Sequence, residues 1–394
     1  MTKEQKALLN ILSNNLFGTE KPIPDDIDYS TLLKESRQQA VVALTLKNLR
    51  LPEDFKNKNR LFQSLAVNSR VFSDHSVLND IMNKAGISYT VLKGAASAYY
   101  YPDPIFRAMG DVDFLVKEKD IAIATEVLKQ NGFTPWEEEH ICHIVFKKEN
   151  MHFEMHFEPA GVPNGETGII IREYISDMIE TSSAVQSDIC TFVNPDKFHH
   201  GLIMLLHMQH HLLSEGIGLR HLCDWAVFVN SFNENEFENL FKIKLERVGL
   251  WNFAETVSLA ASLGIGLPKQ KFMGENTELA EDILNDIIAG GNFGSKDKDR
   301  SGEGFFISNR GKDGVNHSRP VQFVLSVNQI IYTNWKITEK VKVLLPLGWI
   351  YWGARRFIRV ITGKRRHMNF KKMYEGSKGR KELYKQLHLF ETEN

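Results

Sequence analysis

The segment "VLKGAASAYYYPDPIFRAMGDVDFLV", from Val91 to Val116, sets Asp111 and Asp113 one residue apart inside an otherwise apolar run. A chain that buries such a run as a strand must also account for both acids. An ionised carboxylate withdrawn from water is costly unless it is paired or holds a cation. On a strand successive side chains alternate faces, so Asp111 and Asp113 point one way and Val112 and Phe114 the other. Two such carboxylates, about 7 Å apart, can share one or two cations. Hard Mg²⁺ favours a couple of carboxylates together with phosphate oxygens over an all-protein cage. That is the metal arrangement of phosphoryl and nucleotidyl transfer. Taken alone, the same motif also reads as two solvated edge residues.

A third carboxylate on a neighbouring strand would complete the set. In "MHFEMHFE", Met151, Phe153, Met155 and Phe157 form an apolar face, which leaves His152, Glu154, His156 and Glu158 on the other. Glu154 is central and is the expected ligand, with Glu158 in reserve. Upstream, "LKGA" places Lys93 and Gly94 at a strand-to-helix turn, where backbone N–H groups can face an anion. Lys93 and Arg107 are the expected partners of a triphosphate.

The order of elements supports a compact α/β unit. "GISYTVLKG" reads as a strand, "AASAYY" as a helix, "DVDFLV" as a second strand, "KDIAIATEVLKQNG" as a helix closed by Gly132, and "HIVFKKENMHFEMHFE" as a hairpin turning at Glu149 and Asn150. Helical spacing dominates on either side. The expected division is a helical region over 1–84, an α/β core over 85–190, a helical region over 191–330 and a basic helical segment over 331–394. The fold class is α+β. The Gly-rich polar stretch from Gly290 to about Arg319 reads as a functional or disordered loop.

This combination resembles the nucleotidyltransferases of the DNA polymerase β-like superfamily, whose pattern is a Gly-small turn, an alternating Asp pair and a separate third carboxylate. "LKGAASAYYYPDPIFRAMGDVDFLV", "FEMHFEP", "GLRHLCDWAVF" and "GGNFG" further resemble a group of uncharacterised nucleotidyltransferases. The resemblance implies a polymerase β-like core and a Mg²⁺ (or Mn²⁺) site at Asp111, Asp113 and Glu154, with Glu154 assisting a metal or acting as base. It also implies an NTP, ATP first among them, held near Lys93 and Gly94, and an acceptor that is a small molecule, protein or nucleic acid. The superfamily usually has Gly-Ser at the turn, whereas Ala95 follows Gly94 here and Ser97 stands further on. Lys93 or Arg107 would then replace a hydroxyl contact. The alternative is a catalytically inactive nucleotide- or partner-binding protein of the same fold.

Two other stretches stand out. In "FHHGLIMLLHMQHHLLSEGIGLRHLCDW", His200, His207 and His211 share one helical face within about 40°. Ligands strung along one helix rarely converge on one ion, so a polar interface beside the nucleotide or acceptor is the expected role, with a histidine-metal hydrolase as the rival. His156, Arg220 and Asp224 are further candidates for that surround, the last two being spaced to pair with each other.

From Ile331 onward there are 15 Lys and Arg against 5 Asp and Glu, while the whole chain has a formal net charge of -1. The functional reading of "VKVLLPLGWIYWGARRFIRVITGKRRHMNFKKMY" is an arm for an anionic surface. The competing and favoured expectation is a helix packed on the body, with Phe357, Ile358 and Ile361 facing inward. No apolar run reaches the length of a membrane span. Cys142, Cys190 and Cys223 suit neither a disulfide framework nor a zinc set, and the N-terminus lacks signal-peptide features. A cytoplasmic location is expected.

Overall fold

The computed structural model describes residues 1–52, 59–136, 142–233, 235–297, 299–307, 317–363 and 369–392. Among the described residues, four helices precede the first strand: α1 (Lys3–Phe17), α2 (Tyr29–Gln38), α3 (Val42–Leu46) and α4 (Arg60–Ala85). Their ends follow from the sequence. Thr2 and Gln5 form a reciprocal capping box on α1, and Asp28 accepts the amides of Ser30 and Thr31 on α2.

The α/β part runs β1 (Tyr89–Val91), α5 (Ala95–Ala98), β2 (Val112–Val116), α6 (Ile121–Gln130), β3 (Thr134–Pro135), β4 (His143–Lys148) and β5 (Met151–His156). These strands make one sheet in the order β1-β2-β5-β4-β3. β2 is antiparallel to β1 and parallel to β5, while β4 and β5 form the expected hairpin. Its turn holds Glu149 at φ 51, and Gly132 at φ 84 follows α6. Every residue of β2 is buried, and Asp113 is the one charged residue among them.

α7 (Glu166–Tyr174) and α8 (Met178–Thr181) lead to a second sheet that the sequence reading did not contain, β6 (Ser183–Gln186) paired with β7 (Thr191–Asn194). These strands are too short to display a period of their own. β7 lies against α4 and β1, so the α/β unit continues to Asn194. The C-terminal helices are α9 (Lys197–Leu213), α10 (Leu219–Asn230), α11 (Glu236–Arg247), α12 (Trp251–Ile265), α13 (Thr277–Gly290), α14 (Arg300–Glu303), α15 (Arg319–Asn334), α16 (Ile337–Lys340), α17 (Leu345–Ile361) and α18 (Phe370–Lys385).

Two principal cores result. α4 joins the sheet core through Val71, Phe72, Leu78 and Met82. Helices α1 to α3 instead share a core with α9 to α13, centred on Leu8, Leu12, Trp225, Phe241 and Phe253. The N-terminal helices are thus divided between the two units and bind them together.

Two expectations change. The stretch from Gly290 is not a single loop as far as residue 307: a helical turn at Asn292–Gly294 and α14 occupy it, and the buried Arg300 pairs with Asp286. Residues 308–316 lie outside the described residues. At the C-terminus, Phe357, Ile358 and Ile361 face solvent rather than the body. The inner side of α17 is already taken: Gly348 sits so close to Ile331 of α15 that a Cβ would lie 2.4 Å away, and the Trp349 indole donates to Asn328 at 2.8 Å. The basic run at 364–368 falls outside the described residues.

Candidate active site

Parallel pairing sets Asp113 of β2 directly opposite Glu154 of β5. Asp111 stands one residue before β2, on the same side as Asp113 by strand alternation. The three carboxylates bring oxygens within 4.8 Å of one another, as the sequence led us to expect.

Lys93 extends the end of β1 into this cluster. The ladder continues one residue past the strand, with the Leu92 amide donating to the Asp113 carbonyl at 3.0 Å. The chain then turns at Gly94, and Lys93 Nζ reaches Asp113 Oδ1 at 2.8 Å. Gly94 has φ +62, and a Cβ there would lie 2.9 Å from Nε2 of His75 on α4. Both the backbone region and the imidazole packed beneath it therefore require glycine.

His75 corrects one expectation. Its Nε2 accepts the Ala95 amide at 3.3 Å, the Ala96 amide donates to the Lys93 carbonyl, and α5 is a single turn. These amides are already bonded within the chain and do not form an open phosphate cradle. Burial pushes His75 down to about 3, which keeps it a neutral acceptor.

The charges in the cluster are strongly coupled. Burial penalises the Asp113 anion, but Lys93 and a hydrogen bond from His156 hold its carboxyl well below the usual range. Asp113 then pushes Asp111 up to about 6, with partial burial and Glu154 adding to the effect and Lys93 opposing it. Lys93 resists its own desolvation through Asp113, Asp111 and Glu154, and its affinity for a proton rises. His156 Nε2 lies 3.0 Å from Asp113 and 3.6 Å from Glu154. Those bonds outweigh burial and raise its pKa.

His143 was not among the expected residues. It pairs across the hairpin with His156, and its Nε2 is 3.9 Å from Glu154. His143, Glu154 and His156 form a second group able to hold a metal, sharing Glu154 with the aspartates. Counting outward from the turn at Glu149 and Asn150 would have found it, since that register sets residue 143 opposite 156.

Arg107 and Asp224 also differ from expectation. Arg107 donates Nε and Nη2 to the two oxygens of Asp224 at 2.8 and 2.7 Å, and the Tyr101 hydroxyl donates to the same carboxylate at 2.7 Å. Its fork is therefore spent within the protein, away from any phosphate, and Asp224 does not pair with Arg220. Long-range packing decides this, because α10 meets α5 here and brings Asp224 to a partner 117 residues away.

Arg220 lies near this pair and has no carboxylate partner among the described residues. Its Nε is buried with no hydrogen-bond partner, and its guanidinium lies 5.6 Å from the Phe293 ring. Burial and the nearby Arg107 lower its pKa, while Asp224 and Asp111 oppose that shift. Beside it, the rings of His207 and His211 are 4.4 Å apart, His221 is 5.5 Å from His207, and Phe293 is 4.7 Å from His211. Burial first, and then the charges around them including Lys93, push His207 and His221 well down. They form a neutral wall near enough to Lys93 to feel its charge. His200 has left it: buried, it stacks on Tyr100 at 5.4 Å. Among the described residues, no group able to hold a metal includes His207 or His211.

No disulfide joins the three cysteines. Among the described residues, no helix is long and apolar enough to cross a membrane. No curated protein and no solved structure matches the chain. The model of the uncharacterised nucleotidyltransferase family matches residues 25–263, a span that holds the strands bearing the three carboxylates, the Gly94 turn and the histidine wall. The chain belongs to that nucleotidyltransferase family.

Proposed function

We propose that the protein transfers a nucleoside monophosphate from an NTP, ATP first among them, to an acceptor hydroxyl, using Mg²⁺ or Mn²⁺ held by Asp111, Asp113 and Glu154. The observation that carries this reading is the convergence of three carboxylates within 4.8 Å, with Lys93 against one of them. The donor set is anionic and all oxygen, which suits a hard divalent ion. The repulsion that pushes Asp111 up is relieved once a cation is present. When bound, the metal lowers the proton affinity of the attacking hydroxyl and offsets charge on the phosphates.

The remaining work falls to side chains. Glu154 takes the hydroxyl proton as the new bond from oxygen to the α-phosphorus forms. The bond from that phosphorus to pyrophosphate breaks, and pyrophosphate leaves with the electron pair. Lys93, which pairs with Asp113 at 2.8 Å, would be free to turn to the phosphates if a cation took its place there, and Gly94 keeps it at the turn. Arg220, rather than Arg107, is the guanidinium available as a second phosphate contact. His156 holds Asp113 in place, and His207 and His211 line the acceptor side.

The test is calorimetry with ATP and GTP, with and without Mg²⁺, beside a pyrophosphate-release assay on wild type, Asp111→Asn and Asp113→Asn. Metal-dependent binding should be lost in both variants. Pyrophosphate release should fall at least about a hundredfold, the scale of a few kcal/mol of lost charge stabilisation, with the fold intact. Metal-dependent binding without pyrophosphate release on any acceptor would replace transfer with a nucleotide-binding role. Loss of folding in Asp111→Asn would overturn the site.

A further inference from the structure

We infer that α17 and the segment leading into it form a docking face for an anionic lipid surface, a reading independent of the transfer chemistry. The helix has two unlike sides. At 100° per residue, Leu345, Gly348, Trp349, Trp352 and Val360 fall on the side that meets α15 and its surroundings. Opposite them, Leu347, Ile350, Tyr351, Phe357, Ile358 and Ile361 occupy an arc of about 120°, and each is at least 45% exposed. In the preceding residues Val343 is 83% and Ile337 59% exposed. An outward apolar stripe of this length is not what scattered surface hydrophobics produce.

Cations flank the stripe. Lys336, Lys340 and Lys342 precede the helix and Arg355 stands beside it, all exposed. The chain from Ile331 onward carries three times as many basic as acidic residues. An apolar stripe with basic flanks matches the interface between acyl chains and anionic headgroups, where the helix lies in the plane of the surface. A second copy of the chain would cover the stripe but bring two sets of like charges together. A nucleic acid would satisfy the cations and leave the aliphatic stripe in water. An anionic bilayer satisfies both features at once.

The experiment is co-sedimentation of the full chain with large unilamellar vesicles, one set of phosphatidylcholine alone and one of equimolar phosphatidylcholine and phosphatidylglycerol. Binding to the anionic set should exceed binding to the neutral set by at least about tenfold. The triple variant Ile350→Ser, Phe357→Ser and Ile361→Ser, all at exposed positions, should lose at least about tenfold of that binding while keeping its circular dichroism spectrum. Absence of binding to both vesicle sets would overturn the inference. So would a triple variant that binds as wild type does, which leaves a purely cationic contact of the kind nucleic acid makes. A wild-type dimer in sedimentation equilibrium that the triple variant loses would assign the stripe to a second copy instead.

Discussion

Asp113 and Asp224 are both buried, and each rests against a cation, yet their surroundings are opposites. Asp224 meets one guanidinium through two bonds and one tyrosine hydroxyl, so its charge is closed and its acceptors are filled. Asp113 meets Lys93 and His156, but Asp111 and Glu154 lie within 4.8 Å and leave an excess of acid. The first arrangement is what a strut between the sheet unit and the helices needs. The second carries negative charge that folding alone does not require. Surplus charge of one sign, more than burial or perturbed titration, is what separates a site from a support here.

The largest expected effect breaks the strut. Asp224→Ala leaves Arg107, only 5% exposed, as a buried cation without its carboxylate, and should cost about 3–5 kcal/mol of stability in urea denaturation. Asp113→Asn should cost far less, since Lys93 is a quarter exposed and keeps Asp111 and Glu154 nearby. Joint replacement of Arg107 by Met and Asp224 by Leu should recover much of the loss. Equal costs for the two aspartates would erase the distinction between strut and site.

Metal addition sharpens the same contrast from the other side. Mg²⁺ at a hundred times its dissociation constant should stabilise the wild type by about 2.7 kcal/mol, read as a rise in melting temperature. Asp113→Asn should show almost none of that rise. A conservative change at the strut, Tyr101→Phe, should keep all of it. A rise of the same size in Asp113→Asn would move the ion elsewhere.

Much of the site was legible because it depends on local periodicity. Alternation along β2 and β5 was enough to aim Asp111, Asp113 and Glu154 the same way, and the hairpin turn brought the third acid into register. The pairing of Arg107 was not legible: an arginine shortly before an aspartate pair looks like a phosphate contact, and only the packing of α10 on α5 brings Asp224 to it. His75 escaped for a similar reason. Its spacing with Phe72 and Leu78 marks a buried helix face, but nothing local says that Gly94 lies above it. The amphipathic character of α17 was visible, whereas which side meets the protein depended on Gly348 fitting against Ile331.

The smallest expected effect concerns Asp111, which is pushed up to about 6 from an ordinary value of 3.8, first by Asp113 and then by partial burial and Glu154. The folded protein therefore keeps a proton that the unfolded chain has released across this window. Stability from this group is fully present below about 4 and is lost as pH rises through about 6. Asp113 has the opposite sign: its carboxyl is held low, so its contribution is present above its ordinary value and is lost only at more acid pH. The Asp111 contribution, read as the wild-type pH dependence minus that of Asp111→Asn, should thus fall between pH 5 and pH 7.5, against the opposite gain from buried histidines held neutral such as His75. The slope should be a fraction of the about 1.4 kcal/mol per pH unit of one fully linked proton, because water reaches Asp111 and screens it. Asp111→Asn should remove that falling contribution, so that its stability climbs more steeply with pH than the wild type's, and saturating Mg²⁺ should remove it in the wild type by neutralising the same repulsion. Denaturation curves at the two pH values decide the matter. If Asp111→Asn keeps the wild-type slope, the acid cluster holds no surplus charge at neutral pH, and its contrast with Asp224 reduces to geometry.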